Sequence, residues 1–236
     1  MKKSAGTSSR KLSLPELREI MAGGIVLERD KLGEKVVLTS KKRILKLFRP
    51  RSLFSSQLWN PYASRFVRNA EILRRRDIQA PAVEAIYSIP ELNRQAILYP
   101  SIEGESLRSF LSREKDADKR KSLLLKTAAF LAEVHEKGVL FRGLHFGNVI
   151  TTPSGGFALI DIIDIKVRRR GQQSARAALQ NFRHVARYAG DREKIEEVPW
   201  SLFLETYRLN RKTGRNFSGR AFERQATAWL TDLQSP

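Results

Sequence analysis

The chain has no cysteine among its 236 residues. That excludes a disulfide framework and any thiolate metal site, leaves metal chemistry to oxygen or histidine ligands, and fits a reducing compartment. Histidine is scarce as well, with three in all. Acid is short relative to base: 44 Lys+Arg face 25 Asp+Glu, a formal charge of +19 at pH 7. Such an excess calls for a polyanionic neighbour, whether nucleic acid, an anionic membrane face or a phosphorylated glycan. No run approaches the roughly 20 apolar residues of a membrane span, and the Lys/Ser-rich residues 1–15 lack the apolar stretch of a secretory signal. A cytoplasmic protein is expected, and no internal repeat is visible.

What is present suffices for a sizeable core, since 41% of the residues are hydrophobic, enough for one large domain or two small lobes. Residues 1–12 read as a basic flexible arm, and a short helix over 12–21 ends at Gly23-Gly24. Runs 25–28, 35–39 and 43–48, separated by polar turns, read as an antiparallel meander. Asn60-Pro61 then gives an N-cap and a first-turn proline for a helix carrying Ala63, Val67, Ala70 and Leu73 on one face. Two more extended runs, 83–88 and 95–99, complete a five-stranded sheet. A helical half follows, with a stripe at Leu124, Ala128, Leu131 and His135 capped by Gly138, then Leu179, Phe182 and Ala186, then Ser218 capping Phe222, Ala226, Trp229 and Leu233. Strands first and helices second argue for an α+β fold in two lobes: 13–99 an N-terminal lobe, 100–106 a connector, 107–236 a helical C-terminal lobe.

Within the second lobe, residues 145–167 read as a hairpin around the turn Pro153-Ser154-Gly155-Gly156. A four-residue loop sets Asn148 opposite Asp161. An amide oxygen beside a carboxylate is a hard-oxygen pair suited to Mg²⁺, which takes one or two protein oxygens and completes its shell with water and phosphate. Asp161 lies within Leu159-Ile160 and Ile162-Ile163, where an unpartnered carboxylate is costly. The competing reading is a turn-capping or salt-bridged aspartate.

Phe141-Arg142-Gly143-Leu144-His145-Phe146-Gly147-Asn148 resembles the catalytic loop of protein-kinase-like phosphotransferases, including the lipopolysaccharide core sugar (heptose and Kdo) kinases and the aminoglycoside and choline kinases. Ala158-Leu159-Ile160-Asp161 resembles the strand that delivers their second metal-binding aspartate, Ile44-Leu45-Lys46-Leu47-Phe48 their lysine strand, Glu71 the helix partner of that lysine, and residues 99–107 their inter-lobe hinge. These matches fall in the family's order between residues 44 and 161. The resemblance implies a two-lobed kinase fold that binds ATP and Mg²⁺, with Asn148 and Asp161 on the metal and Lys46, Glu71, Tyr99 and Ile102 at the nucleotide. It further implies transfer to a lipopolysaccharide core sugar or related anionic envelope glycan, at the cytoplasmic membrane face. The short spacing from Asp161 to the helix near Arg176 leaves little room for the activation segment of true protein kinases.

Two departures stand out. The phosphate-covering loop should be glycine-rich, yet residues 28–36 hold only Gly33. The family's histidine and catalytic aspartate positions are Phe141 and Gly143. A lost general base typically costs about 10²- to 10⁴-fold in rate, so an atypical kinase, with His145 as the substitute base, and a nucleotide-binding pseudokinase are both in view. Nucleic acid is not expected as a partner, because Arg74-Arg75-Arg76 and Arg168-Arg169-Arg170 come with no recognised nucleic-acid-binding motif.

Overall fold

A computed structural model describes residues 9–31, 33–48, 62–169 and 171–234. The chain divides after Ile102 into two compact units. Among the described residues it holds eleven strands and eight helices, a mixed α and β fold built around one large, mainly antiparallel sheet. No described helix is long and apolar enough to cross a membrane.

Unit 1 contains β1 (Ser9–Lys11), α1 (Leu14–Met21), β2 (Ile25–Asp30), β3 (Gly33–Leu38), β4 (Arg43–Leu47), α2 (Tyr62–Arg74), β5 (Ala85–Ile89) and β6 (Arg94–Pro100). They form a six-stranded sheet in the order β1-β5-β6-β4-β3-β2. The sixth strand corrects the expected arm: Ser9–Lys11 pair in parallel with Ile86, Tyr87 and Ser88. All three side chains are exposed, so no apolar alternation marks them; backbone pairing at a sheet edge holds the strand. The rest of that arm, and the Asn60-Pro61 cap, lie outside the described residues.

Strand alternation gives the sheet two different faces. Helix α1 starts where Glu16 accepts from the Ser13 backbone N–H and hydroxyl, both at 2.8 Å. It lays Leu17, Ile20 and Met21 on Val37, Leu45, Leu47 and Ala96. Gly24 permits the return to the sheet, because a Cβ there would meet the Leu38 carbonyl oxygen at 2.8 Å. Against the opposite face α2 buries Ala63, Phe66, Asn69, Ala70 and Leu73, and Phe66 stacks on Tyr99 at 5.6 Å.

Unit 2 contains β7 (Glu105–Ser106), α3 (Leu107–Arg113), α4 (Ala117–Glu136), β8 (Val139–Phe141), β9 (Val149–Thr151), β10 (Phe157–Leu159), β11 (Ile165–Val167), α5 (Ala175–Ala186), α6 (Ala189–Glu196), α7 (Trp200–Leu209) and α8 (Gly219–Gln234). Asp116 caps α4 through the Asp118 and Lys119 amides, and Gly138 at φ +71° ends it. The core is aromatic: Phe182 meets Tyr207 at 4.8 Å, and Trp200 meets Trp229 at 5.0 Å, both edge to face. The expected hairpin over 145–167 is two separate pairings. One small sheet runs β10-β9-β7, while β11 leaves that hairpin to pair with β8.

Candidate active site

The segment 142–148 connects β8 to β9 and is pinned at both ends. The Arg142 amide donates to the Asp164 carbonyl at 2.9 Å, and the Ile160 amide donates to the Asn148 carbonyl at 3.0 Å. Residues 160–164, which cross from one small sheet to the other, therefore run beside this loop. Asp161 opens the single 3₁₀ turn Ile162–Asp164 in the left-handed conformation, at φ +51° and ψ +46°. Few non-glycine residues adopt it, and such backbone strain is a pointer to a functional position.

The register expected for Asn148 and Asp161 needs correction. Phe157 pairs with Thr151 and Leu159 with Val149, which places Ile160, not Asp161, across from Asn148. The reason is in the turn. Gly155 takes φ +79° and its amide bonds the Thr152 carbonyl, while the Thr152 amide bonds the Gly156 carbonyl. Gly156 is thus drawn into the ladder and the loop shortens to three residues, a form that requires a left-handed glycine. Asp161 stands one residue beyond the pairing, where its carboxylate belongs to the crossing segment.

One cluster in the site was not foreseen. Asp191 of α6 is fully buried, takes both Nε and Nη2 of Arg108 at 2.7 and 3.0 Å, and accepts the Phe146 amide at 2.8 Å. A buried carboxylate is tolerated when it is paired and hydrogen-bonded in this way. It ties α3, α6 and the loop together. Arg108 Nη2 reaches His145 Nδ1 at 3.5 Å, and the His145 ring packs against Tyr188 at 5.0 Å. Gly147 makes room for that ring: a Cβ there would meet two of its atoms at 3.0 Å. Burial pushes His145 below the ordinary histidine value and Arg108 pushes the same way, against Asp191 and Asp161. Both effects favour the neutral form of the His145 imidazole over the charged one. In the sequence, Asp191 is indistinguishable from a solvated first-turn aspartate.

Beneath the loop runs a buried polar chain. Asn181 Nδ2 donates to the Phe141 carbonyl at 2.6 Å and its Oδ1 meets His135 Nε2 at 3.1 Å. His135 Nδ1 meets the Tyr207 hydroxyl at 2.7 Å, and Tyr207 accepts from Arg211. The order of donors makes the Nε2–H tautomer of His135 the consistent one. Complete burial holds His135 down to about 3, with Arg211 adding to the effect and the Asn181 hydrogen bond opposing it. The position that the resemblance matches to a catalytic-loop histidine is filled by Phe141, buried, with its carbonyl fixed by this chain.

Gly143, at the matched aspartate position, carries no acid. A Cβ there would have Phe141 Cε2 at 3.7 Å and Asn148 Nδ2 at 4.0 Å as its nearest neighbours, so the place is open to a side chain. Asn148 donates Nδ2 to the Gly143 carbonyl at 3.0 Å. That assignment leaves Oδ1 as the oxygen available to a hard cation. Among the described residues no group of three or more His, Asp or Glu could hold a metal. One amide oxygen with one carboxylate fits an ion that keeps several waters or phosphate oxygens, which is the chemistry of Mg²⁺.

In unit 1, Lys46 is 5% exposed and its Nζ lies 5.8 Å from the centre of the Phe66 ring. It sits across from Val36 and Ile97, on the α2 face of the sheet. The expected pairing with Glu71 is a correction: Glu71 accepts from Arg74 at 3.0 and 2.9 Å and from Arg75 at 2.9 Å. These hydrogen bonds, Arg74's first, push Glu71 down to about 2. The helical stripe explains it, because 63, 66, 70 and 73 face the sheet and 71 does not; the polar residue α2 does bury is Asn69. Tyr99 ends in the stack with Phe66, and half-buried Ile102 is the last residue of the unit.

Sequence reading also missed an apolar shelf beside Lys46. Ile25, Leu38, Ile44 and Tyr99 are register partners across four strands, on the face away from α1. Ile25 is 63% exposed although it is a strand aliphatic. The glycine-poor β2–β3 hairpin is held instead by Lys35–Glu28 at 2.5 Å and Arg29–Glu34 at 3.3 Å.

Comparison with known protein families found no family model that matches the chain, and no curated protein matches it significantly.

Proposed function

We propose that this chain is an atypical ATP-dependent phosphotransferase of two-lobed, protein-kinase-like build. Its acceptor would be a lipopolysaccharide core sugar or related anionic envelope glycan, met at the cytoplasmic membrane face. The observation that carries the reading is the pinned loop 142–148, with Asn148 and the left-handed Asp161 on neighbouring pinned segments. Two further features support it. Lys46 is a buried cation on a sheet face, the kind of group that neutralises nucleotide phosphates, and the Ile25–Leu38–Ile44 row is an apolar surface suited to a base.

Mg²⁺, when bound, would be held by Asn148 and Asp161 and would neutralise charge on the β- and γ-phosphates. The Asp191–Arg108 pair fixes the loop's backbone, and neutral His145 is the candidate to take the acceptor hydroxyl proton in place of the missing acid at Gly143. Purified protein, labelled ATP and dephosphorylated core glycan should give Mg²⁺-dependent transfer that disappears in Asp161→Ala. No transfer to any envelope glycan would remove the acceptor assignment.

Gly143 favours a second reading, a pseudokinase that binds nucleotide without turnover. Thermal stabilisation by Mg²⁺ and ATP with no hydrolysis or transfer would select it.

A further inference from the structure

Between Asp164 and Asp191 the sequence contains no acidic residue and seven Lys/Arg. Three of those cations fall on α5 and its C-terminal cap, where Arg176, Gln180, Arg183 and Arg187 follow the spacing i, i+4, i+7, i+11 and so share one helix face. All four are exposed. Arg176 and Arg183 wall a groove of about 260 Å³ with Gln180, Leu179 and, from α8, Gln225 and Ala228.

Arg176 stands in a first turn with no acid, where a cation opposes the helix dipole, while Arg183 in the last turn and Arg187 at the cap stand where the dipole favours cations but are like charges one turn apart. None of the three arginines makes an ion pair among the described residues. A stripe of exposed arginines that meets no carboxylate among the described residues is suited to an external anion.

The shape selects which anion. The other side of α5 is buried through Ala178, Leu179, Phe182 and Val185, and the helix packs on α8, so it offers a solvent-facing line and little more. Such an embedded helix cannot enter a duplex major groove about 12 Å wide. A line of cations about 16 Å long, at 1.5 Å rise per residue, can meet a plane along its whole length.

We propose that the α5–α8 face, through Arg176, Arg183 and Arg187, docks unit 2 onto anionic phospholipid membrane, with Gln180 and Gln225 available to headgroup phosphate. This goes beyond peripheral membrane contact in general by assigning its surface, and it stands whether or not the chain transfers phosphate.

The test is co-sedimentation of the full chain with phosphatidylcholine vesicles containing about one-third phosphatidylglycerol. Arg176→Gln/Arg183→Gln/Arg187→Gln should lose on the order of 100-fold in partitioning. Arg18→Gln/Lys31→Gln/Lys41→Gln, an equal loss of exposed charge in unit 1, should lose under tenfold. Wild-type binding should collapse between about 0.15 and 0.5 M salt as screening shortens, and circular dichroism should show both triple variants folded. Equal binding by the two triple variants would overturn the assignment. So would equal binding to pure phosphatidylcholine, suppression by millimolar glycerol phosphate, or tighter binding to a 24-base-pair duplex at matched phosphate concentration, lost in the α5 variant.

Discussion

Gly143 concentrates the question of activity in one Cβ. The position has space, and Asn148 Nδ2 lies 4.0 Å from where that atom would be. Gly143→Asp would restore a carboxylate beside the proposed metal pair, and a general base contributes about 10²- to 10⁴-fold. The variant is expected to turn over at least about 10²-fold faster than the parent in a coupled ATP assay. An unchanged rate would assign proton transfer to another group, with His145 first in line. His135 makes the second prediction at this scale. Its folded value of about 3 lies below the 6.5 of an unfolded histidine, so between those values the unfolded chain binds the extra proton. Stability is therefore intact above about pH 6.5 and is lost as pH falls, by up to about 1.4 kcal/mol per pH unit. Urea unfolding at pH 7.5, 6 and 5 measures it; a flat profile would contradict the buried neutral imidazole.

Most elements with strong patterning were legible from sequence, and those without were not. The three strands of the meander, α2, α4 and the capped α8 announce themselves by alternation, helical spacing and capping residues. β1 does not, since three exposed side chains carry no period. The register at Asn148 turned on a single left-handed glycine, and the Lys46–Glu71 pairing on one residue of helical phase. Asp191 and Arg108 lie 83 positions apart, beyond any local pattern. The same backbone detail yields a prediction for β7. Gly104 has φ +126°, and a Cβ there would lie 2.0 Å from the Thr151 carbonyl oxygen. Gly104→Ala must displace β7 from β9, with a cost of about 2–4 kcal/mol by chemical denaturation. Gly155→Ala, strained but open on all sides, should cost about 1 kcal/mol.

For the whole molecule, each compact unit carries a different half of the proposed chemistry. Unit 1 has the buried lysine and the apolar row; unit 2 has the pinned loop, the asparagine and the left-handed aspartate. Lys46→Ala and Asp161→Ala are the single changes that test the two sets of residues separately. The direct measurement is calorimetric titration of ATP into the full chain, with and without Mg²⁺, for the wild type and these two variants. Mg²⁺-dependent binding in the wild type, weakened at least tenfold in Lys46→Ala and stripped of its Mg²⁺ dependence in Asp161→Ala, is the predicted result. Wild-type protein that takes up no ATP, or variants that bind Mg²⁺ and ATP as the wild type does, would contradict it.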